Sequence, residues 1–225
     1  PLLPERYKPL QLLGEGATGY VYQAHDSLLE RDVAVKVVRP NLAKYALFRA
    51  RFAREVALSA LVIHPHLVPV HDHGRLFDGR PFVVMGYADQ GSLGHLLRWG
   101  PPLSEVLRIV DQVLEALAAL HARGLVHQDL KPANVLLQTG ADGQVNALVA
   151  DLGVAGTFSE LAMNRRGISG TPTWMAPEQL MNRPQELGPW TDLYALGRIL
   201  YEILGGEHTP DTIGRKALLE QRMRA

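Results

Sequence analysis

The hydrophobic period of this 225-residue chain changes once, near residue 90. Before that point apolar residues alternate or gather in short runs; after it they recur at helical spacing. Period two and period 3.6 place side chains on different faces, so one element cannot satisfy both. The chain is therefore expected to divide into a small antiparallel β-sheet lobe, residues 1–88, and a larger, mainly helical lobe, residues 89–225. The segment "GYADQGS" is a short linker on which two lobes can hinge. The fold class is α+β and bilobal.

In the first lobe "YKPLQLLGEG" and "GYVYQAHD" read as a hairpin around a glycine-rich turn. "RDVAVKVVRP" alternates strictly, with Val33, Val35 and Val37 on one face and Ala34, Lys36 and Val38 on the other; Pro40 ends it. Residues 45–61 carry Phe48, Phe52, Val56 and Leu61 at helical spacing, which predicts the lobe's one helix. "LVPVHDHG" and "RPFVVMGY" read as two further strands. In the second lobe Ser104 is the expected N-cap of a helix with a stripe of Val106, Val110, Val113, Leu117 and Leu120, stopped at Gly124. "ANVLLQTGADGQVNALVAD" predicts two short strands around a turn. "WTDLYALGRILYEIL" is apolar nearly all round and is expected to be buried, and a last helix is expected in "GRKALLEQRMRA".

Composition narrows the function classes. A formal net charge of zero gives no basic footprint for nucleic acid. The absence of cysteine removes disulfides, thiolate metal sites and a cysteine nucleophile. No apolar run reaches the roughly 18 residues of a membrane span. The expectation is a soluble, cytoplasmic domain with no nucleic-acid partner and no membrane contact in the visible chain.

The chemistry-bearing residues fall in a fixed order. "GEGATGYV" places Gly14, Gly16 and Gly19 where backbone N–H groups can approach phosphate oxygens without a Cβ in the way. Such turns also occur in ordinary hairpins. A dinucleotide-binding unit needs a helix after the glycines, and here a strand follows. Lys36 lies inside a valine-rich strand, from which it reaches either solvent or a phosphate. Glu55, on the following helix, is a partner for Lys36 or for Arg51 one turn before it. "HQDLKPANVLL" then packs Asp129, Lys131 and Asn134 ahead of an aliphatic strand. Phosphoryl transfer to a hydroxyl needs a carboxylate to accept the proton, oxygen ligands for Mg²⁺ and a cation near the moving phosphate. Asp129, Asn134 and Lys131 supply these types. Asp151, in "VADLG", supplies a second metal ligand, although a lone Asp after a strand is more often a turn cap.

Taken together, the glycine loop, "VAVK", the helix glutamate, "HQDLKPAN", "DLG" and "APE" resemble the protein kinase superfamily, most nearly the bacterial, eukaryotic-like serine/threonine protein kinases. The resemblance runs from residue 7 to about residue 205. It implies a bilobal protein-kinase fold, with ATP and Mg²⁺ (or Mn²⁺) as cofactors and a protein with a Ser/Thr acceptor as substrate. Lys36, held by Glu55, would contact the α and β phosphates under Gly14, Gly16 and Gly19. Leu13, Val21 and Ala34 on one side and Leu136 on the other would enclose adenine. The backbone of Gly86, Tyr87 and Ala88 would bond its edge, and Met85 would limit the back pocket. Asn134 and Asp151 would hold the metal, Asp129 would be the base with Lys131 beside it, and Asp192 would brace the catalytic loop.

Three departures stand out. Gln128 occupies the place where most relatives carry an arginine that clamps an activation-segment phosphate; glutamine forms no charge-assisted pair. Candidate phosphoacceptors in that segment are Thr157, Ser159, Ser169, Thr171 and Thr173. In similar kinases the threonine corresponding to Thr171 hydrogen-bonds the catalytic Asp and Lys. Leu152 replaces the more familiar phenylalanine. The larger lobe looks truncated at its C-terminus, so Glu178 of "APE" needs a partner, with Arg215, Arg222 or Arg224 as candidates. Two other readings are a pseudokinase that binds nucleotide without transfer, and a small-molecule phosphotransferase; "GTPTWMAPE" favours a protein substrate over the latter. Oligomeric state is not legible.

Overall fold

The structure, a computed structural model, describes residues 3–151, 156–157, 172–205 and 217–220, with only the backbone of 156–157. It falls into two compact units: Pro1–Ile63 with Val68–Asp89, and His64–Leu67 with Gln90–Ala225.

The first unit is a five-stranded antiparallel sheet with one long helix. Strands β1 (Tyr7–Glu15), β2 (Gly19–Asp26), β3 (Arg31–Val38), β4 (Val70–Arg75) and β5 (Pro81–Gly86) lie in the order β1-β2-β3-β5-β4. The alternation in β3 has a physical outlet on each face. Val33, Val35 and Val37 join Tyr7, Ala24, Phe82 and Val84 in one core cluster. Val38 and Val83 pack on the other face against Phe52 and Val56 of helix α2 (Ala46–Leu61). Each such aliphatic side chain removed from water stabilises the fold by about 1.5–3 kcal/mol. Pro40 opens a short helix, α1 (Pro40–Ala43), in the first-turn position where its missing N–H costs nothing.

Leu61 corrects the helical stripe expected in α2: it is exposed, and Leu58 is buried instead. Leu61 is the last residue of the helix, and Leu58 lies about 160° from Val56 around the axis, so burial in α2 is not confined to the Phe52–Val56 stripe.

The second unit contains α3 (Leu93–Leu97), α4 (Leu103–His121), β6 (Leu125–Val126), β7 (Val135–Thr139), β8 (Val145–Val149), β9 (Gly156–Thr157), α5 (Pro177–Leu180) and α6 (Pro189–Ile203). β7 pairs with β8 and β6 with β9, all antiparallel. Helix α4 buries the predicted stripe together with Ile109 and Ala116. Its cap differs from expectation. The N-cap is Pro102, two residues before Ser104, and its carbonyl accepts from the Glu105 and Val106 N–H groups. Gly124, at φ +69°, follows the helix in the left-handed region that glycine enters most easily.

Residues 64–67 reach the second unit through β8: the Val149 N–H donates to the His66 carbonyl at 2.9 Å, and His66 Nδ1 lies 3.0 Å from the Ala147 carbonyl. Helix α6 corrects a further expectation. Thr191, Asp192, Ala195, Leu196 and Ile199 are buried, whereas Trp190, Leu193 and Tyr201 are exposed, so only one of its apolar faces is covered among the described residues. Of the expected last helix, residues 217–220 are described and helical, and Leu218 packs on Met175 and Leu180.

Candidate active site

In the second unit β6 delivers the chain into a loop that is held almost entirely by hydrogen bonds. His127 is fully buried, and its two ring nitrogens are both engaged. Nε2 lies 3.0 Å from the Ala150 carbonyl, so it carries the hydrogen; Nδ1 is then the acceptor for the Asp129 N–H at 3.3 Å. Asp192, 1% exposed on α6, accepts from the backbone N–H of His127 (2.9 Å) and Gln128 (2.8 Å) and faces His121 Nε2 at 2.7 Å. A buried carboxylate is tolerated only with donors of this kind around it. Asp192 thus braces the loop from the helix beneath.

The far end of the loop is a three-residue contact. Asp129 Oδ2 accepts from Lys131 Nζ at 2.8 Å and from Asn134 Nδ2 at 3.2 Å. Asn134, buried in the 3-10 turn Pro132–Asn134, also donates from Nδ2 to the Asp129 carbonyl at 2.8 Å. With its amide nitrogen directed at Asp129, its side-chain oxygen is the atom suited to a hard cation. The Ala150 N–H donates to the Asn134 carbonyl at 2.8 Å while the Ala150 carbonyl faces His127, so β8 ends tied to the loop at both polar atoms of one residue. Asp151 follows immediately, exposed and at φ +64°. Non-glycine residues in this region cost about 1–3 kcal/mol and gather at functional sites. Gln128, at φ +69°, is another.

The donor set fits Mg²⁺. An amide oxygen and a carboxylate oxygen are hard ligands, and Mg²⁺ is commonly bound by one or two carboxylates with phosphate and water completing the shell. No group of three His, Cys, Asp or Glu side chains able to hold a metal by themselves occurs among the described residues.

In the first unit Lys36 Nζ lies 3.6 Å from Glu55 Oε1, with both side chains mostly buried. Lys36 is in register with Val21 on β2 and Val83 on β5, and Ala34 with Met85, so Val21, Ala34, Lys36 and Met85 share one face of the sheet. Leu13 is exposed; Gly86, Tyr87 and Ala88 are half-buried, and the Gly86 N–H donates to the Pro69 carbonyl. Leu136, half-buried on β7, belongs to the second unit.

The glycines separate into two kinds. A Cβ on Gly19 would lie 2.4 Å from the Val37 carbonyl oxygen, so this residue is glycine because of strand packing. A Cβ on Gly14 or Gly16 would meet no heavy atom closer than 3.9 Å. Sequence reasoning missed Arg39, whose guanidinium donates to the Gly16 carbonyl (2.8 Å), Glu15 Oε1 (2.6 Å) and the Tyr20 hydroxyl (3.2 Å), holding the glycine turn. An arginine just after a strand carries no signal of its own; its target became visible only in the folded hairpin.

The protein kinase domain family matches residues 7–225. The chain belongs to the protein kinase family. Serine/threonine-protein kinase PknD of Mycobacterium tuberculosis is 39% identical over 203 residues, covering 89% of this kinase chain and 30% of the relative. Serine/threonine-protein kinase pkn3 of Myxococcus xanthus is 37% identical over 208 residues, covering 89% and 38%. Serine/threonine-protein kinase PknB of Mycobacterium leprae is 35% identical over 222 residues, covering 95% and 34%. The kinase chain spans about a third of the length of these curated relatives.

Two departures can be followed in this kinase. Gln128 is anchored by its backbone: its N–H bonds Asp192, and its carbonyl accepts from Gln179 Nε2 at 2.8 Å. Glu178 is half-buried and accepts from Thr191 Oγ1 at 2.7 Å, a partner not among those anticipated. Arg215, Arg222, Arg224, Leu152, Ser159, Ser169, Thr171 and the Thr157 side chain lie outside the described residues; Thr173 is buried.

Proposed function

We propose that this chain is an ATP-dependent serine/threonine protein kinase, transferring the γ-phosphate of Mg-ATP to a hydroxyl of a protein. The observation that carries the reading is the Asp129 carboxylate held between Lys131 and Asn134 on a loop braced by Asp192. In the proposed reaction Asp129 orients the acceptor hydroxyl and takes its proton as the oxygen bonds to the γ-phosphorus, the bond from that phosphorus to the β,γ-bridging oxygen breaks, and ADP leaves with the bridging oxygen. Lys131, already on Asp129 Oδ2, offsets the charge of the phosphoryl group. Asn134 and Asp151 would hold the metal, which would neutralise phosphate charge. Lys36, fixed by Glu55, binds the α and β phosphates, and the Gly14–Gly16 turn approaches them through backbone N–H groups. Leu13, Val21, Ala34 and Leu136 contact adenine, Met85 limits the pocket behind it, and Gly86, Tyr87 and Ala88 bond its edge.

Regulation belongs to the same proposal. A phosphate orders a loop chiefly by pairing with arginines, and Gln128 supplies none. Activation-segment phosphorylation therefore has less influence here than where arginine precedes the base. The test of the function is transfer of labelled phosphate from ATP to a generic protein, alongside nucleotide binding. Binding with no transfer to protein would favour a nucleotide-binding signalling module, and transfer to small molecules alone a phosphotransferase of another kind.

A further inference from the structure

Gln179 is 6% exposed and follows Glu178 in α5. Its side-chain amide is engaged at both ends: Oε1 accepts from the Ala176 N–H at 3.0 Å, and Nε2 donates to the Gln128 carbonyl at 2.8 Å. The reverse amide orientation would set oxygen against oxygen and NH₂ against N–H, so the two neighbours fix the assignment. A side chain at this position that served only as a helix cap would need the acceptor alone. Glutamate would serve that purpose better, since a negative charge near a helix N-terminus is favoured. What an amide adds is a donor, and this donor goes to the residue next to Asp129, 51 positions earlier in the chain.

The target matters because Gln128 is in the left-handed region, at φ +69°. A side-chain-bearing residue stays there only where its surroundings hold it. Its N–H is held by Asp192 Oδ1 at 2.8 Å and its carbonyl by Gln179. The same peptide plane continues into the Asp129 N–H, which donates to His127 Nδ1. Asp129 Cα lies in that plane, so anything that rotates the 128–129 peptide swings the carboxylate. The Ala176 end of Gln179 joins this peptide to the segment just after the 3-10 turn Pro172–Trp174.

We propose that Gln179 is a positioning residue for the catalytic base: its amide clamps the strained Gln128 peptide and couples the aim of Asp129 to the Ala176 segment. The inference rests on the reading of Asp129 as base, and its test separates the two. Gln179→Glu is nearly isosteric and keeps the acceptor for Ala176. As a carboxylate it faces the Gln128 carbonyl with no hydrogen; once protonated it regains a donor. Burial favours the protonated form of the introduced carboxyl group and the Ala176 N–H favours the ionised one, so the comparison is run from about pH 8 to about pH 6.

The experiment measures kcat and KM for ATP of wild type, Gln179→Glu and Gln179→Leu across that range, using labelled ATP and a generic protein acceptor. Amide hydrogen exchange in peptides spanning 125–131 is followed in parallel. At about pH 8 both variants are expected to lose about tenfold in kcat, with KM for ATP within about twofold of wild type; a tenfold loss is about 1.4 kcal/mol. As pH falls, Gln179→Glu recovers toward wild type measured at the same pH, and Gln179→Leu does not. Residues 125–131 exchange faster in both variants at the higher pH. A Gln179→Leu turnover equal to wild type, or unchanged exchange in that loop in both variants, overturns the clamp. If wild type itself transfers no phosphate, the kinase reading falls, and the exchange comparison still decides whether Gln179 holds the loop.

Discussion

Asp129 and Lys36 are expected to fail in different ways when replaced. Asp129→Asn removes the proposed proton acceptor and should lower transfer by about 10²–10⁴-fold while leaving ATP affinity nearly intact. Lys36→Ala should lower transfer and weaken ATP binding together, because its proposed ligand is phosphate; titration of each variant with a fluorescent nucleotide, beside a turnover assay, distinguishes them. Away from the site, Arg6 donates twice to the Asp26 carboxylate, each bond 2.7 Å, and that pairing takes the Asp26 pKa from 3.8 down to about 2. The folded state favours the ionised form. Its stabilising contribution is therefore complete above the ordinary carboxylate value and lost as pH falls toward about 2. Urea midpoints should accordingly drop between about pH 5 and about pH 2.5, and Arg6→Met should flatten that dependence. An equally steep profile in the variant would assign the acid sensitivity to other groups.

Among the elements, the glycine-rich hairpin separates stability from ligand binding. Gly19→Ala should cost about 1–3 kcal/mol in thermal or urea unfolding, since its Cβ would run into the Val37 carbonyl of β3. Gly14→Ala meets nothing within 4 Å and should leave stability within about 0.5 kcal/mol while raising KM for ATP. The reverse pattern would mean that Gly14 is a folding residue. Elements with a strong period were legible: β3, with valine on every second residue, and the stripe of α4. Ends and outer faces were less so. Ser104 suits an N-cap, yet the Pro102 carbonyl already closes the first turn of α4. α6 is apolar all round, and sequence alone does not say which of its faces has a neighbour. The catalytic loop motif was readable because its residues are consecutive. Arg39, Gln179 and the Thr191–Glu178 contact were not, because each acts on a partner 13 to 51 positions away and its residue type is ordinary.

Over the whole molecule, the proposed chemistry is divided between the two units: the Lys36–Glu55 pair in the first, and Asp129, Lys131, Asn134 and Asp151 in the second. No helix among the described residues is long and apolar enough to cross a membrane. Control of the whole is expected to depend weakly on activation-segment phosphorylation. Replacing Thr157, Ser159 and Ser169 together with alanine should preserve most turnover, and Gln128→Arg should make turnover more dependent on phosphorylation, as followed by phosphatase treatment before assay. A dead triple variant rescued by acidic replacements would mean that another cation performs the clamp. The central claim is narrower: the carboxylate of Asp129 carries phosphate transfer from Mg-ATP to protein. Its most direct test is a labelled-phosphate assay on wild type and Asp129→Asn, with and without chelator, at matched nucleotide occupancy. The account predicts label in protein only for wild type with divalent metal present; near-wild-type labelling by Asp129→Asn, or labelling that survives thorough chelation, would contradict it.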